Sequence, residues 1–250
     1  MATFVLVPGF WLGGWAWDRV ARPLRERGHL VYEVTLTGMA ADGDADADVD
    51  LDTHVTDLVR LLTDEDLRDV VLVGHSYAGI PVTGAADRRP DRIGRLVYLE
   101  SGPPSDGMSH ADLEPPDAGT VGWTERDTRW IPVPVFDPTE DPVNLAGLSS
   151  TDLDLLRQRG VPQPRATSTQ PLRLTDPARR ALPTDLVSCT FPVETVREML
   201  AAGHPFFVEL GMLTDLRVHP LPTGHWPMFS RPADLAGLLD GLGQSLADTA

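Results

Sequence analysis

Apolar positions along the chain gather in short continuous runs rather than in strict alternation. Residues 3–7 (Thr-Phe-Val-Leu-Val), 30–35, 69–74, 94–100 (Gly-Arg-Leu-Val-Tyr-Leu-Glu), 185–190 and 215–220 each have the length of one strand. Runs that are apolar throughout predict strands covered on both faces. Between them the spacing turns helical: 15–27, ending near Gly28, 52–65 with Asp52 or Thr53 as N-cap, 77–87, 193–202, and a final helix over about 231–247. Strands alternating with helices need crossover connections. The prediction is therefore an α/β domain, with a mainly parallel central sheet flanked by helices.

The alternation breaks from 103 to 182. Prolines crowd this stretch, Trp123, Trp130 and Phe136 fall in it, and only 151–159 has clear helical spacing. So long an excursion inside a domain is usually functional. It predicts a cap inserted at 103–182 into a core built from 1–102 and 183–250. No internal repeat is present.

Composition changes this picture little. The 250 residues suffice for one large domain with a full core, and 42% hydrophobic content describes an ordinary globular chain. No apolar run reaches the roughly 18 residues of a membrane span, and "MATFVLVPGF" lacks the basic start of a signal peptide. Cys189 is the only cysteine, which excludes an internal disulfide and predicts a cytoplasmic protein. A formal charge of −16 argues against nucleic acid or an anionic membrane surface as partner. All 21 basic residues are arginine, since the chain has no lysine. The acidic stretch "DGDADADVDLD" at 42–52 fails as a calcium loop, with Ala47 where glycine is required and Thr53 where glutamate is required. It reads as a solvated loop, and neither a metal nor an organic cofactor is expected.

The candidate chemistry begins at "VLVGHSYAGIPVTGAAD", residues 71–87. Gly74-His75-Ser76-Tyr77-Ala78 departs from G-x-S-x-G only in its fifth residue, with Gly79 next. A serine on a sharp strand-to-helix turn needs small neighbours, because its backbone is strained. That turn exposes the hydroxyl at the carboxyl end of the sheet. It also sets the Tyr77 N–H at a helix start, where developing negative charge is favoured. A serine at that place is also an ordinary N-cap, so further parts are required. A second oxyanion donor belongs in a loop after an earlier strand, and "VLVPGFWLGGWAW" at 5–17 places the Phe10 N–H there. The base must come late in the chain. Of the late histidines, His219 lies inside a strand pattern and His204 closes a helix, which leaves His225 in "PLPTGHWPMFSRP".

With these pieces together the chain resembles the α/β-hydrolase superfamily over essentially its whole length. Within it, the chain is most similar to plant-type methyl esterases and hydroxynitrile lyases and to small bacterial esterases of that branch. "VPGFWLGGWAW", "TLTG" at 35–38, "LDTHVTDL" at 51–58, "VGHSYAG", "LVYLESGPPSDGMS" at 96–109 and "GHWPMFSRP" carry the resemblance. It implies Ser76 as nucleophile, His225 as base, and the Phe10 and Tyr77 amides as oxyanion donors.

The third triad member departs from that branch, where an aspartate follows the strand after the cap. Here the strand ends "SCTFPVET", with Pro192 at that place and Glu194 two residues on. Glu100, at the end of the strand after the nucleophile helix, is the favoured acid. Some haloalkane dehalogenases and fungal zearalenone lactonases resemble this arrangement. A glutamate closing an apolar strand is also an odd structural choice, since unpaired buried carboxylates are costly. Glu194, Asp215, or no acid at all remain open.

The leading expectation is a serine hydrolase that cleaves a small apolar ester or lactone through an acyl-enzyme. Trp11, Trp123, Trp130, Phe136 and Trp226 are candidate pocket residues, and simple packing of the cap explains them equally well. The related lyases carry a lysine directly after the catalytic histidine, where this chain has Trp226, so that chemistry is disfavoured. Dehalogenase and epoxide hydrolase chemistry need a carboxylate in place of Ser76. A non-hydrolytic binder or a biosynthetic cyclase or lyase on the same fold is the alternative. The sequence is compatible with a homodimer.

Overall fold

Every strand pairing in the main sheet is parallel. The computed structural model describes residues 1–40, 48–113, 129–204 and 207–247. Its strands are β1 (Thr3–Val7), β2 (Leu30–Glu33), β3 (Val70–His75), β4 (Ile93–Leu99), β5 (Trp130–Ile131), β6 (Gln163–Pro164), β7 (Thr184–Ser188) and β8 (Leu216–Pro220). Six of them form one sheet in the order β2-β1-β3-β4-β7-β8, while β5 and β6 make a separate antiparallel pair. The central strands β3 and β4 are buried almost throughout, as unbroken apolar runs require, whereas β8 at the edge is partly exposed.

Helices cover both faces. On one side α1 (Asp18–Glu26) packs against the C-terminal helix α7 (Pro232–Ala247), through a core that includes Trp17, Leu24, Leu235 and Leu239. On the other, α2 (Leu51–Asp64) packs against α3 (Gly79–Arg88) through Val55, Leu58, Ile80 and Val82. The start of α2 differs from the sequence expectation by a short step. Asp50, rather than Asp52 or Thr53, is the N-cap, and Thr53 completes the reciprocal capping box. Residues 42–47 of the acidic stretch lie outside the described part.

The excursion between β4 and β7 holds β5, β6, α4 (Ser150–Arg159) and α5 (Arg165–Thr169). Strands 30–35 and 185–190 end earlier than the apolar runs suggest, at Glu33 and Ser188. The chain runs outward from β1 to β2, then crosses back to β3 and continues in the opposite direction. The crevice at such a reversal lies beyond the carboxyl ends of β1 and β3, which is where an open α/β sheet binds its ligands.

Candidate active site

The loops leaving β1 and β3 meet at that crevice. Ser76 directly follows β3, in a single turn of 3-10 helix that leads into α3, with φ +53°. A non-glycine residue in the left-handed region is strained and persists only where its surroundings fix it. Ser101 supplies part of that fixing: its hydroxyl donates to the Ser76 carbonyl at 2.5 Å. Trp11, Glu100 and Phe136 also have positive φ (+66°, +47° and +49°), as do Asp66 and Asp69 in the turn before β3.

His225 comes from the loop after β8, and its Nε2 lies 2.8 Å from Ser76 Oγ. Two backbone bonds hold this histidine from opposite sides. Its N–H donates to the Asn144 carbonyl at 2.7 Å, and its carbonyl accepts from His75 Nε2 at 2.7 Å. Because a carbonyl only accepts, His75 carries its proton on Nε2. Burial first, and then the neighbouring His225, push the His75 pKa well below the ordinary value, so it stays neutral.

Glu100 begins one residue past β4 and reaches over the end of β7. Its carboxylate accepts from the Cys189 N–H at 2.6 Å, from the Thr190 N–H at 3.1 Å and from the Thr190 hydroxyl. All these partners are donors, which suits an ionised acceptor. Glu194 is elsewhere: its side chain is 76% exposed, 3.9 Å from Arg197 on the same helix turn. Asp215 precedes β8, at the opposite end of the strand from His225, and pairs with Arg217. The electrostatics of His225 follow this placement. Burial lowers its pKa, and the negative charges of Glu100 first and Asp141 second offset part of that fall.

Of the two oxyanion candidates, Tyr77 directly follows Ser76 and Phe10 sits on the facing loop after β1. Phe10 stacks on Tyr77 with ring centroids 4.4 Å apart, and among the described residues no backbone carbonyl accepts from the Phe10 N–H. Gly9 lets this loop approach. A Cβ there would stand 3.0 Å from Ser76 Cβ and 3.0 Å from His75 Nδ1, closer than side chains normally pack. Gly9→Ala is therefore expected to push the Phe10 N–H away and lower kcat by roughly ten- to hundredfold. Ester hydrolysis by the purified variant checks this.

The model of the alpha/beta hydrolase family matches residues 4–238. The chain belongs to this family. It is 36% identical over 181 residues to the carbendazim hydrolyzing esterase of Nocardioides sp. (strain SG-4G), covering 70% of this chain and 74% of that one. It is also 36% identical over 100 residues to Methylesterase 8 of Arabidopsis thaliana, a match spanning 39% of this chain and 37% of the plant protein. Among solved structures, an extracellular alpha/beta-hydrolase from a Paenibacillus species, described as sharing structural and functional homology with tobacco salicylic acid binding protein 2, superposes with a TM-score of 0.78. That pair is 24% identical, covering 98% of this chain and 100% of the other. By homology this alpha/beta hydrolase is a carboxylic ester hydrolase.

A cavity of about 420 Å³ opens over Ser76. Leu113 and His110 line it from the inserted segment, Ile80 and Leu186 from the core, and Phe191, Val196, Met199, Phe207 and Leu210 from the region around α6 (Val193–Ala201). Burial, and secondarily His225, lower the His110 pKa to about 4, so this wall presents a neutral imidazole. The predicted aromatic pocket needs correction. Trp11, Trp130, Phe136 and Trp226 do not line the cavity, and Trp123 lies outside the described residues. Phe136 instead meets Trp11 edge-on at 6.2 Å and Trp226 at 5.4 Å, and Trp226 meets His225 at 5.0 Å. These rings pack the inserted segment against the loops that carry Trp11 and His225. The lining from 191–210 carried no signal in sequence beyond ordinary helix patterning.

Proposed function

We propose that the chain is a serine esterase acting on small, neutral carboxylic esters or lactones through an acyl-enzyme. The observation that carries this reading is the 2.8 Å contact between His225 Nε2 and Ser76 Oγ at the floor of the cavity. His225 takes the Ser76 proton while the alkoxide attacks the acyl carbon. The N–H groups of Phe10 and Tyr77 receive the oxyanion. The proton then passes to the departing alcohol, and a water activated by His225 releases the acid.

Glu100 is the acid of this triad. Its carboxylate lies at the end of β7, the strand after the insertion, although its backbone directly follows β4, and it is the leading negative charge acting on His225. A carboxylate within reach of the imidazole can hold its tautomer from either strand. The apolar lining of the cavity favours an apolar acyl or alcohol group. Because the curated relatives include methylesterases, methyl esters of apolar acids are the first substrates to try. The inserted segment acts as a cap over the nucleophile.

Fluorophosphonate labelling with peptide mapping, run beside p-nitrophenyl ester hydrolysis, tests the reading. A single adduct on Ser76 and turnover with an initial burst are expected. Folded protein that neither labels nor hydrolyses would return the chain to the non-hydrolytic alternative.

The pH profile has a definite sign. Only neutral His225 accepts the Ser76 proton, and burial sets its pKa below the ordinary 6.5. With a neutral ester, kcat/KM should rise through an acid limb centred below 6.5 and stay level through neutral pH. A midpoint at or above 6.5 counts against His225 as the base.

A further inference from the structure

One wall of the cavity comes from the short turns that follow α6, where Phe207 and Leu210 line it. The Phe207 N–H donates to the His204 carbonyl at 2.8 Å, Met212 to Glu209 at 3.1 Å and Leu213 to Leu210 at 3.2 Å. These overlapping turns tie the two lining residues into one piece. Glu209, between them in sequence, is not part of the lining. It is buried, and its carboxylate meets two arginines. Oε1 accepts from Arg179 Nη2 at 2.5 Å and from Arg180 Nε at 2.8 Å, and Oε2 accepts from Arg180 Nη2 at 3.0 Å.

The other arm of Arg179 reaches α3. Its Nη1 donates to Asp87 Oδ1 at 3.2 Å, and Asp87 is fixed in turn by the N–H groups of Thr175 and Asp176. Asp87 and Ile80 stand about two helical turns apart on α3 and so share a face. Ile80 lines the cavity. One guanidinium therefore spans from the helix that supplies Ile80 to the turns that supply Phe207 and Leu210. Arginine suits this place, because its planar fork can hold two carboxylates at once.

We propose that Arg179 is a strut that sets the separation of these two walls, and with it the length of the apolar chain the cavity accepts. The proposal rests on the serine-esterase reading above and adds to it the residue that selects among apolar esters. Arg179 is a positioning residue, acting on the cavity through Glu209. All three members of the bridge are buried, so water does little to replace a lost link. Without the guanidinium, Asp87 and Glu209 face each other as under-compensated buried carboxylates and repel. The wall then swings away from α3 and the cavity lengthens. Each methylene that an apolar pocket admits or refuses is worth roughly tenfold or more in discrimination.

Arg179→Met, Glu209→Gln and Phe207→Ala test the strut on two pairs of esters. p-Nitrophenyl butyrate and octanoate vary the acyl chain, and the methyl and hexyl esters of phenylacetic acid vary the alcohol. Fluorophosphonate titration counts active sites, so misfolded protein drops out of the rates. Phe207→Ala widens the wall directly, and the pair whose long-to-short ratio of kcat/KM it raises is the pair that meets the wall. In that pair Arg179→Met is expected to raise the ratio by roughly tenfold, through a lower KM for the long ester. Glu209→Gln should raise it by roughly threefold, because the amide keeps the shape and loses the charge. A merely structural ion pair would lower Tm and both rates alike. An unmoved or falling ratio in Arg179→Met overturns the proposal, and so does Phe207→Ala that moves neither pair. If Arg179→Met does not fold, Glu209→Gln decides alone. Wild type that hydrolyses none of the four esters overturns the esterase reading, and the strut falls with it. Wild-type turnover with unmoved ratios overturns the strut alone.

Discussion

Ser76→Ala is expected to lower kcat by about four to six orders of magnitude, the loss seen when a hydrolase nucleophile is removed. The reason is local. Among the described residues no other hydroxyl is paired with His225: Ser101 donates its own to the Ser76 carbonyl, and Ser188 donates to the carbonyl of Phe191. The fold should survive the change. Alanine keeps a Cβ in the same left-handed conformation and deletes only the Oγ, so Tm should move little. Ser76→Gly is the informative companion, because glycine adopts φ +53° without penalty. It should be equally inactive yet more stable than Ser76→Ala by about 1 kcal/mol, exposing the strain held at this turn. Rates from p-nitrophenyl esters and melting curves on the three proteins supply the comparison. Retention of more than a few per cent of wild-type turnover by Ser76→Ala would rule out the acyl-enzyme route.

Glu100→Gln should reduce kcat/KM by about 10³ to 10⁴, or about 4 to 5.5 kcal/mol of transition-state stabilisation. Two effects combine. The amide cannot stabilise the imidazolium that forms as Ser76 attacks, and its NH₂ group would face the Cys189 and Thr190 donors that now converge on a carboxylate. The sign of the accompanying pH shift follows from charge. Glu100 raises the His225 pKa against the lowering by burial, so its removal moves the acid limb of the remaining activity to still lower pH. A merely structural lesion would leave that limb in place. Glu194→Gln and Asp215→Asn, whose side chains face solvent, should stay within about twofold of wild type. A large loss at Glu194 with Glu100→Gln unharmed would transfer the role of acid.

The buried network around Asp87, Arg179 and Glu209 shows how the return leg of the inserted segment is held to the core. Arg179 bonds both carboxylates, at 3.2 Å and 2.5 Å, and Asp87 also accepts the backbone N–H groups of Thr175 and Asp176. These bonds anchor the segment to α3 just as it re-enters the sheet at β7. The anchoring explains how a long excursion can present His110 to the cavity reproducibly.

Much of this architecture was legible from local chemistry. Unbroken apolar runs force strands into the middle of a covered sheet, and helical spacing between them forces parallel crossovers, so the α/β class follows without any long-range information. Ser76 was legible because a strained turn admits only small neighbours. His225 stood out because the other late histidines belong to regular elements. Residue types whose role depends on partners distant in sequence were decided only by the tertiary structure. The aromatic side chains looked like a pocket, yet contact among themselves buries them as packing. The cavity was left to Phe191, Met199 and Phe207, whose helical spacing says nothing of which void they face. Glu100 could be named from sequence as an odd carboxylate at a strand end. That it turns over β7 to meet the Cys189 and Thr190 amides depends on β4 and β7 lying side by side across the whole insertion.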